Sequence, residues 1–374
     1  MLRYLTSGES HGKCMLTILD GMPAGLFVDK SIIDIELARR MTGHGRGKRM
    51  KIESDRIKIL SGLRKSKTIG SPIAMMINNI DQSIDELPVV LEPRPGHADL
   101  SGALKYDFRD IRNVLERASA RETVSRVSIG AIAKILLAEF GIKIVSYITV
   151  IGNIEARVAD LDISQIAKIT EKSPVRCADP GASSLMCKEI DKAEEAGDTL
   201  GGIFEVMVHG VPPGLGSYTQ WDKRIDGKLA KAIMSIHAVK GVSFGIGFEA
   251  ARRRGSAVHD EIFYTKSKGF FRKANNAGGI EGGMTNGENI VIQAVMKPIS
   301  TLRKPLASVN IKTKEKILAT VERSDVCAVP AAGVIGEAAA AIEIANAMIE
   351  KFGGDSVKEM RRNYEGYMEQ IKKF

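Results

Sequence analysis

The chain has 374 residues, 44% hydrophobic and 26% charged, a globular composition that excludes a disordered or collagen-like chain. Its formal charge is +9 with only 5% aromatic residues and no zinc-finger, basic-zipper or RNA-recognition pattern, so a small polyanionic ligand explains the charge better than nucleic acid. Cys14, Cys177, Cys187 and Cys327 form no Cys-x-x-Cys pair or zinc spacing, the N-terminus has no signal-peptide core, and no apolar run approaches the roughly 20 residues of a membrane span, which together predict a cytoplasmic protein with reduced thiols, no metal and no membrane partner.

In chain order, the first chemical segment is SGESHGK, Ser7 to Lys13. Ser10 and His11 sit between Gly8 and Gly12, just before an apolar strand over Met15 to Leu19. A histidine held by glycines beside a hydroxyl suits proton transfer to an anion, although an ordinary turn with an incidental histidine reads the same way. Ser31 with Asp34 resembles a capping box and starts a helix through Arg40. Its basic C-terminal end enters MTGHGRGKRM, Met41 to Met50, where Arg46, Lys48 and Arg49 follow Arg39 and Arg40 with no acid between Leu37 and Ile52. A P-loop is excluded, because Gly47-Lys48 is followed by Arg49 and Thr42 stands where that motif needs glycine. A bound anion would relieve such a cluster; a solvated basic loop would not need one.

Strands over Ile57 to Leu60 and Ile73 to Ile77 precede EPRPGHADLSG, Glu92 to Gly102. Two prolines stiffen the approach to His97, with Arg94 three residues earlier and Asp99 two later. Phe108 to Phe140 reads as one long helix or two joined ones, and Arg117 and Arg121 share one face of it around Ser119. Strands follow over Ile142 to Ile151 and Ile203 to Val208, then a helix over Lys228 to Val239. NNAGGIEGGMTNG, Asn275 to Gly287, is a glycine-rich turn able to present backbone N–H groups to phosphate. A strand over Ile290 to Val295 leads into Lys297, Pro298, Ile299, Ser300 and Thr301, an ammonium and two hydroxyls for the same anion. In RSDVCAVPAAGV, Arg323 to Val334, Asp325 is a carboxylate beside an arginine in an otherwise apolar run, the pattern of a tuned base or of a structural ion pair. Helices over Glu337 to Phe352 and Ser356 to Phe374 close the chain; the stripe Val357, Met360, Tyr364, Met368 and Ile371 reads first as core and second as subunit contact.

No low-complexity linker divides the sequence, and the elements do not alternate as βαβ. The expected fold class is therefore α+β, one domain over 1–374 with antiparallel sheets packed on central helices. Two phosphate-binding segments, at least two histidines and one carboxylate point to an enzyme that handles two anionic small molecules.

These segments, in this order, resemble the chorismate synthase family over essentially the whole chain. GESHGKCMLTILDGMP is similar to its N-terminal signature, RRMTGHGRGKRMKIES to its arginine loop, and RPGHADL, ERASARET, NNAGGIEGGMTNG, KPIST and RSDVCAVPAAGVIGEAA to its other motifs. The resemblance implies a homotetramer of β-α-β sandwich subunits. It also implies an anti-1,4-elimination of phosphate from 5-enolpyruvylshikimate 3-phosphate that requires reduced FMN with no net redox change. It gives substrate binding to Ser10, Arg40, Arg46, Arg49, Arg94, Arg121 and Arg323, and flavin binding to Arg117, Ala118, Ser119, His237, Ala238, Gly282, Lys297 to Thr301 and Arg323. His11 protonates the departing phosphate, His97 stands by the flavin N1–C2=O edge, and Asp325 stands near flavin N5. The family also marks the positions of Arg40 and Arg46 for NADP. The chain has no appended flavin reductase, which implies the monofunctional form supplied by an external reductant. It departs from the family pattern at His44, at His237 and at Ala118, where a serine is common.

Overall fold

The computed structural model describes residues 1–47, 54–158 and 161–374. Two antiparallel sheets enclose a layer of helices. The first contains β1 (Arg3–Ser7), β2 (Cys14–Asp20), β3 (Lys58–Ile59) and β4 (Ile73–Asn78), in the order β1-β2-β4-β3. The second contains β5 (Lys143–Ile151), β6 (Ile154–Glu155), β7 (Gly202–His209), β8 (Val239–Phe244) and β9 (Ile290–Met296), in the order β8-β9-β7-β5-β6. The helices are α1 (Lys30–Met41), α2 (Asp99–Tyr106), α3 (Arg112–Arg117), α4 (Thr123–Ala138), α5 (Ile163–Thr170), α6 (Pro180–Glu195), α7 (Ile225–Met234), α8 (Val329–Phe352) and α9 (Val357–Lys372).

The sandwich follows from residue patterning. Along β2, Met15, Thr17 and Leu19 are buried while Leu16 and Ile18 face outward, the period of two that puts one sheet face on the core. Helix α4 packs against β2, α8 packs against β5 and β7, and the two helices pack on each other. Their backbones nearly touch: a Cβ on Gly130 would lie 2.5 Å from the Cα of Ala338. The Ala-rich run Ala338 to Ala341 permits this approach. Helix α8 is long and apolar enough to cross a membrane, but its most apolar stretch is 89% buried inside the fold, as a core helix should be.

Several boundaries differ from the sequence pattern. Of the two readings of Phe108 to Phe140, the joined pair is the one observed, as α3, a 3₁₀ turn at Ala120–Glu122, and α4, with the first helix starting only at Arg112. Ser119 causes the break: its backbone is extended, and its Oγ accepts the N–H of Arg121. Helix α7 ends at Met234 instead of running to Val239, which leaves His237 and Ala238 in the link to β8. Helix α8 begins at Val329, two turns before Glu337, with Pro330 in its first turn, where a missing N–H costs nothing. Asp29, not Ser31, caps α1. Strands β1 and β8 had no counterpart in the sequence pattern. The stripe on α9 buries Val357 and Met360 and sets Tyr364 against Phe140 and Phe352, as core packing requires.

One fully buried carboxylate ties these layers together. Glu337 of α8 accepts from both guanidinium nitrogens of Arg39 on α1, at 2.8 and 2.9 Å, from Lys134 of α4 at 2.5 Å and from Ser146 Oγ of β5 at 2.6 Å. Burial pushes its carboxyl pKa up, but the charges of Lys134, Arg39 and Arg176 outweigh burial and hold it well below the usual carboxylate range. Glu337→Ala should therefore lower the unfolding free energy by about 3–5 kcal/mol, because it strands buried cations. Since the folded value lies below the unfolded one, the stabilisation is complete above roughly pH 4.3 and is lost as pH falls toward the lowered value. Denaturant titrations should show a shallower acid decline for Glu337→Gln than for the unsubstituted chain.

Candidate active site

A cleft of about 480 Å³ opens where the β1–β2 turn, the end of α1, the α3–α4 break, the α7–β8 link and the first turns of α8 meet. Among the described residues, seven cations line it (Arg40, Arg46, Arg94, Arg112, Arg121, Lys297, Arg323) against three carboxylates (Glu116, Glu322, Asp325). A second cavity, about 350 Å³, lies between Phe244, Val258 and Asn276 and is lined by no arginine or lysine.

Arg40, Arg94, Arg112 and Arg121 are buried, Arg46 and Lys297 are half-buried, and Arg323 is exposed. Arg121 donates from Nε to Asn79 Oδ1 at 2.9 Å and from Nη1 to Asp55 Oδ1 at 2.7 Å. Arg40 donates from Nε to Thr123 Oγ1 at 3.0 Å, and its Nη1 lies 3.5 Å from Asp55 Oδ2 without a hydrogen bond. Burial pushes the Arg40 pKa down to about 10; Asp55 opposes this, while Arg46 and Arg121 add to it. Arg46 pairs with Asp325 Oδ2, and Asp325 Oδ1 accepts the Gly47 N–H at 2.7 Å. Asp325 is thus fixed by a guanidinium and a backbone amide, and the apolar surroundings its sequence neighbours suggested are not those of its carboxylate. Lys297 donates to the Gly96 carbonyl at 2.7 Å, and burial, then Lys240, pushes its pKa down.

His11 and His97 each have their own buried carboxylate. The His11 N–H donates to Glu116 Oε2 at 2.7 Å and its Nδ1 lies 3.0 Å from Glu116 Oε1, while Nε2 is 3.9 Å from Asp81 Oδ2. Burial works to raise the Glu116 pKa, but the hydrogen bonds from His11 and the charge of Arg112 bring it below the usual carboxylate value. His97 Nδ1 contacts Asp99 Oδ1, and the fully buried Asp99 also accepts from Arg94 Nε at 2.8 Å. Arg94 Nη1 reaches Thr301 Oγ1 at 2.7 Å, so one network joins the proline-stiffened loop to the segment after β9. Burial opposes ionisation of Asp99, but His97 and Arg94 outweigh it and hold its carboxyl well below the ordinary range. A carboxylate at Nδ1 makes that nitrogen the donor and leaves Nε2 as the one that exchanges a proton.

The remaining wall is polar in a different way. Ser119 Oγ donates to Ser10 Oγ at 3.2 Å. His237 is mostly buried, its Nδ1 makes no hydrogen bond, and burial is the main cause that lowers its pKa. Ala238 has φ +65°, a left-handed conformation unfavourable for alanine, held by the Lys297 N–H bonded to its carbonyl at 2.9 Å.

Of the residues named from sequence, Ser10, His11, Arg40, Arg46, Arg94, His97, Ala118, Ser119, Arg121, His237, Ala238, Lys297, Ile299, Ser300, Thr301, Arg323 and Asp325 line this one cleft. Three lie off its wall. Arg117 is bonded to the carbonyls of Gly8 and Thr6, Pro298 sits between two lining residues, and Gly282 occupies the turn between the short strands Ile280–Glu281 and Met284–Thr285. Arg49 lies outside the described residues. Sequence reading passed over Asp55, Asn79, Asp81, Thr123, Arg112 and Glu322. Asp55 had a signal, as an acid placed just past the basic loop; the others carry none until the fold brings them in.

A family model described as chorismate synthase matches residues 2–349. Chorismate synthases of Geobacter sulfurreducens and Symbiobacterium thermophilum are each 54% identical to the chain, covering 100% and 99% of both sequences respectively. That of Bacillus velezensis is 52% identical over the full length of both. A crystal structure of a chorismate synthase superimposes with a TM-score of 0.83 at 45% identity, covering 100% of this chain and 99% of that one.

The His97–Asp99 geometry generates a test. Asp99→Asn keeps the side-chain volume but removes the charge and leaves one acceptor oxygen where Arg94 and His97 now use two. Turnover at saturating ligands should fall by about 10- to 100-fold, the usual cost of losing a group that orients a histidine. Unchanged turnover would show that Asp99 serves Arg94 alone.

Proposed function

The chain belongs to the chorismate synthase family, and from that premise we propose how its cleft carries out the reaction. The enzyme is a carbon–oxygen lyase of the shikimate pathway. It eliminates phosphate from 5-enolpyruvylshikimate 3-phosphate in an anti-1,4 sense to give chorismate, with no net redox change. The observation that carries our assignment of residues is the cleft itself, where a cationic wall and two carboxylate-held histidines face one cavity.

The substrate brings a phosphate and two carboxylates. Arg40, Arg46, Arg49, Arg94, Arg121 and Arg323, with the Ser10 hydroxyl, bind these groups by charge-assisted hydrogen bonds. Arg40 and Arg121 are poised for this, since Asp55 anchors both from behind. His11 donates its proton to the phosphate oxygen as the C–O bond breaks, and Glu116 holds the ring at Nδ1 throughout. Asp325, fixed by Arg46 and Gly47, assists removal of the ring proton. His97, with Nδ1 committed to Asp99, holds or releases its proton at Nε2.

The cofactor we propose is reduced FMN, bound by Arg117, Ala118, Ser119, His237, Ala238, Gly282, Lys297 to Thr301 and Arg323. The residues present fit such a group: the buried His237 Nδ1 lacks a hydrogen bond, and the Lys297 ammonium stands beside the Ser300 and Thr301 hydroxyls. When bound, reduced FMN lends electron density as the C–O bond breaks and recovers it as the C–H bond breaks. An external source of reduced flavin follows, since no segment has the strand, Gly-rich turn and acidic ribose ligand of a dinucleotide site.

We further propose one domain over 1–374 that assembles as a homotetramer. Leu5 on β1 faces Ile18 on β2, and the two are 73% and 48% exposed on the outer sheet face, an apolar patch suited to a second copy.

Two measurements test these roles. Arg46→Ala should weaken substrate binding by roughly 1.5–3 kcal/mol, the value of a bond to a charged group, while FMN affinity measured without substrate changes much less. Equal losses for both ligands would reassign the loop. In a strictly anaerobic assay, chemically reduced FMN far below the substrate concentration should support many turnovers. Oxidised FMN with NADPH should give essentially no chorismate, and steady turnover there would refute the need for an external reductant and restore a nicotinamide role for Arg40 and Arg46.

A further inference from the structure

His44 lies in the arginine loop but outside the cleft, and nothing in the roles above uses it. Its ring Nε2 is 2.6 Å from Asp191 Oδ1 near the C-terminal end of α6. Its backbone N–H donates to the Pro174 carbonyl at 2.7 Å. The next residue, Gly45, has φ +82°, and a Cβ there would come within 2.7 Å of Ile190 Cγ2, the neighbour of Asp191 on α6. The Gly45 carbonyl accepts the Val326 N–H at 2.8 Å, and Gly47 N–H is bonded to Asp325.

The loop is therefore held from two sides, with Arg46 between them. Its inner side is bonded to the 325–327 segment that carries Asp325. Its outer side rests on α6, an element that contributes nothing to the cleft wall, and the His44–Asp191 pair is the side-chain contact there. Glycine on each side of His44 gives the backbone freedom that such a contact must remove. Arg46, two residues beyond His44, lines the ligand cavity.

We propose that His44 and Asp191 form an outer latch that positions Arg46 for the phosphorylated substrate. Both are positioning residues, acting through Arg46 without touching the ligand, and the proposal rests on the assignment of Arg46 to substrate binding. Loosening the latch costs substrate affinity, because the free loop samples arrangements in which Arg46 is turned from the cleft. Once substrate is bound, Arg46 is in place and the chemical step is unaffected.

The test uses the full-length chain with His44→Ala, Asp191→Ala, the double variant, His44→Gln and Arg46→Ala. Substrate affinity is read by calorimetry with 5-enolpyruvylshikimate 3-phosphate, and KM and kcat with chemically reduced FMN. Each single latch variant should raise the substrate Kd and KM by about two- to fivefold, the range for a half-exposed ion pair. Their kcat and thermal midpoint should stay unchanged. The double variant should be no worse than either single, and His44→Gln, which can still donate to Asp191, should recover part of the loss. If Arg46→Ala weakens binding but the latch variants do not, or if the two single losses add in the double variant, the latch is overturned. A change in kcat without one in KM overturns it too. If Arg46→Ala itself leaves affinity unchanged, the parent assignment falls and the latch with it.

Discussion

The constraint on which this structure turns is the crowding of guanidinium groups at the floor of one cleft. At the floor of the cleft Arg40 and Arg121 share Asp55, and Arg46 takes Asp325. These guanidinium groups crowd one another in a region of low dielectric, where bringing like charges together is costly. The fall of the Arg40 pKa to about 10, caused by burial and sharpened by Arg46 and Arg121, expresses that cost. An incoming polyanion removes it. Cations held in place before an anion arrives need no rearrangement to meet it, which is how a preorganised site gains affinity.

Such a floor must be held rigidly, or the cations would swing out to water. The Glu337 network does this from the far side of α1. Arg39 points into the core and binds Glu337, so the next residue, Arg40, is directed to the cleft. The same carboxylate draws in Lys134 of α4, which places the start of that helix, and with it Thr123, against Arg40. Two consecutive arginines, identical in chemistry, thereby serve opposite ends: one satisfies a buried acid and the other lines the cleft.

The large elements were legible because period and composition determine them. The antiparallel strands Ile73 to Ile77 and Ile203 to Val208, and the apolar terminal helices, appear close to where the pattern put them. The cleft was legible as a set of residue types, since arginines beside glycines and histidines in stiff turns announce anion chemistry before any contact is known. What sequence could not show is the pairing of distant residues. Glu116 lies 105 positions from His11, and Arg46 lies 279 from Asp325. Nothing local distinguishes Glu116, one acid within a long helical pattern, from an acid committed to a histidine. For the same reason sequence left Asp325 open between a tuned base and a structural ion pair, its apolar chain neighbours being no guide to its spatial ones.

The places where local rules failed are also instructive in their location. The helical run through Phe108 to Phe140 divides into two at Ser119, and the helix expected through Val239 stops before His237. Ala238 sits in a left-handed conformation that its side chain disfavours. All three departures fall on the cleft wall. An unbroken helix would direct successive side chains 100° apart around an axis, so Ala118, Ser119 and Arg121 could not all turn to one cavity. Breaking it lets Ser119 cap the next turn, meet Ser10 and leave Arg121 facing Asp55 and the cleft together. A sequence under pressure only to fold would continue the helix; one that must converge short polar side chains on an anion gives up that regularity where the anion binds.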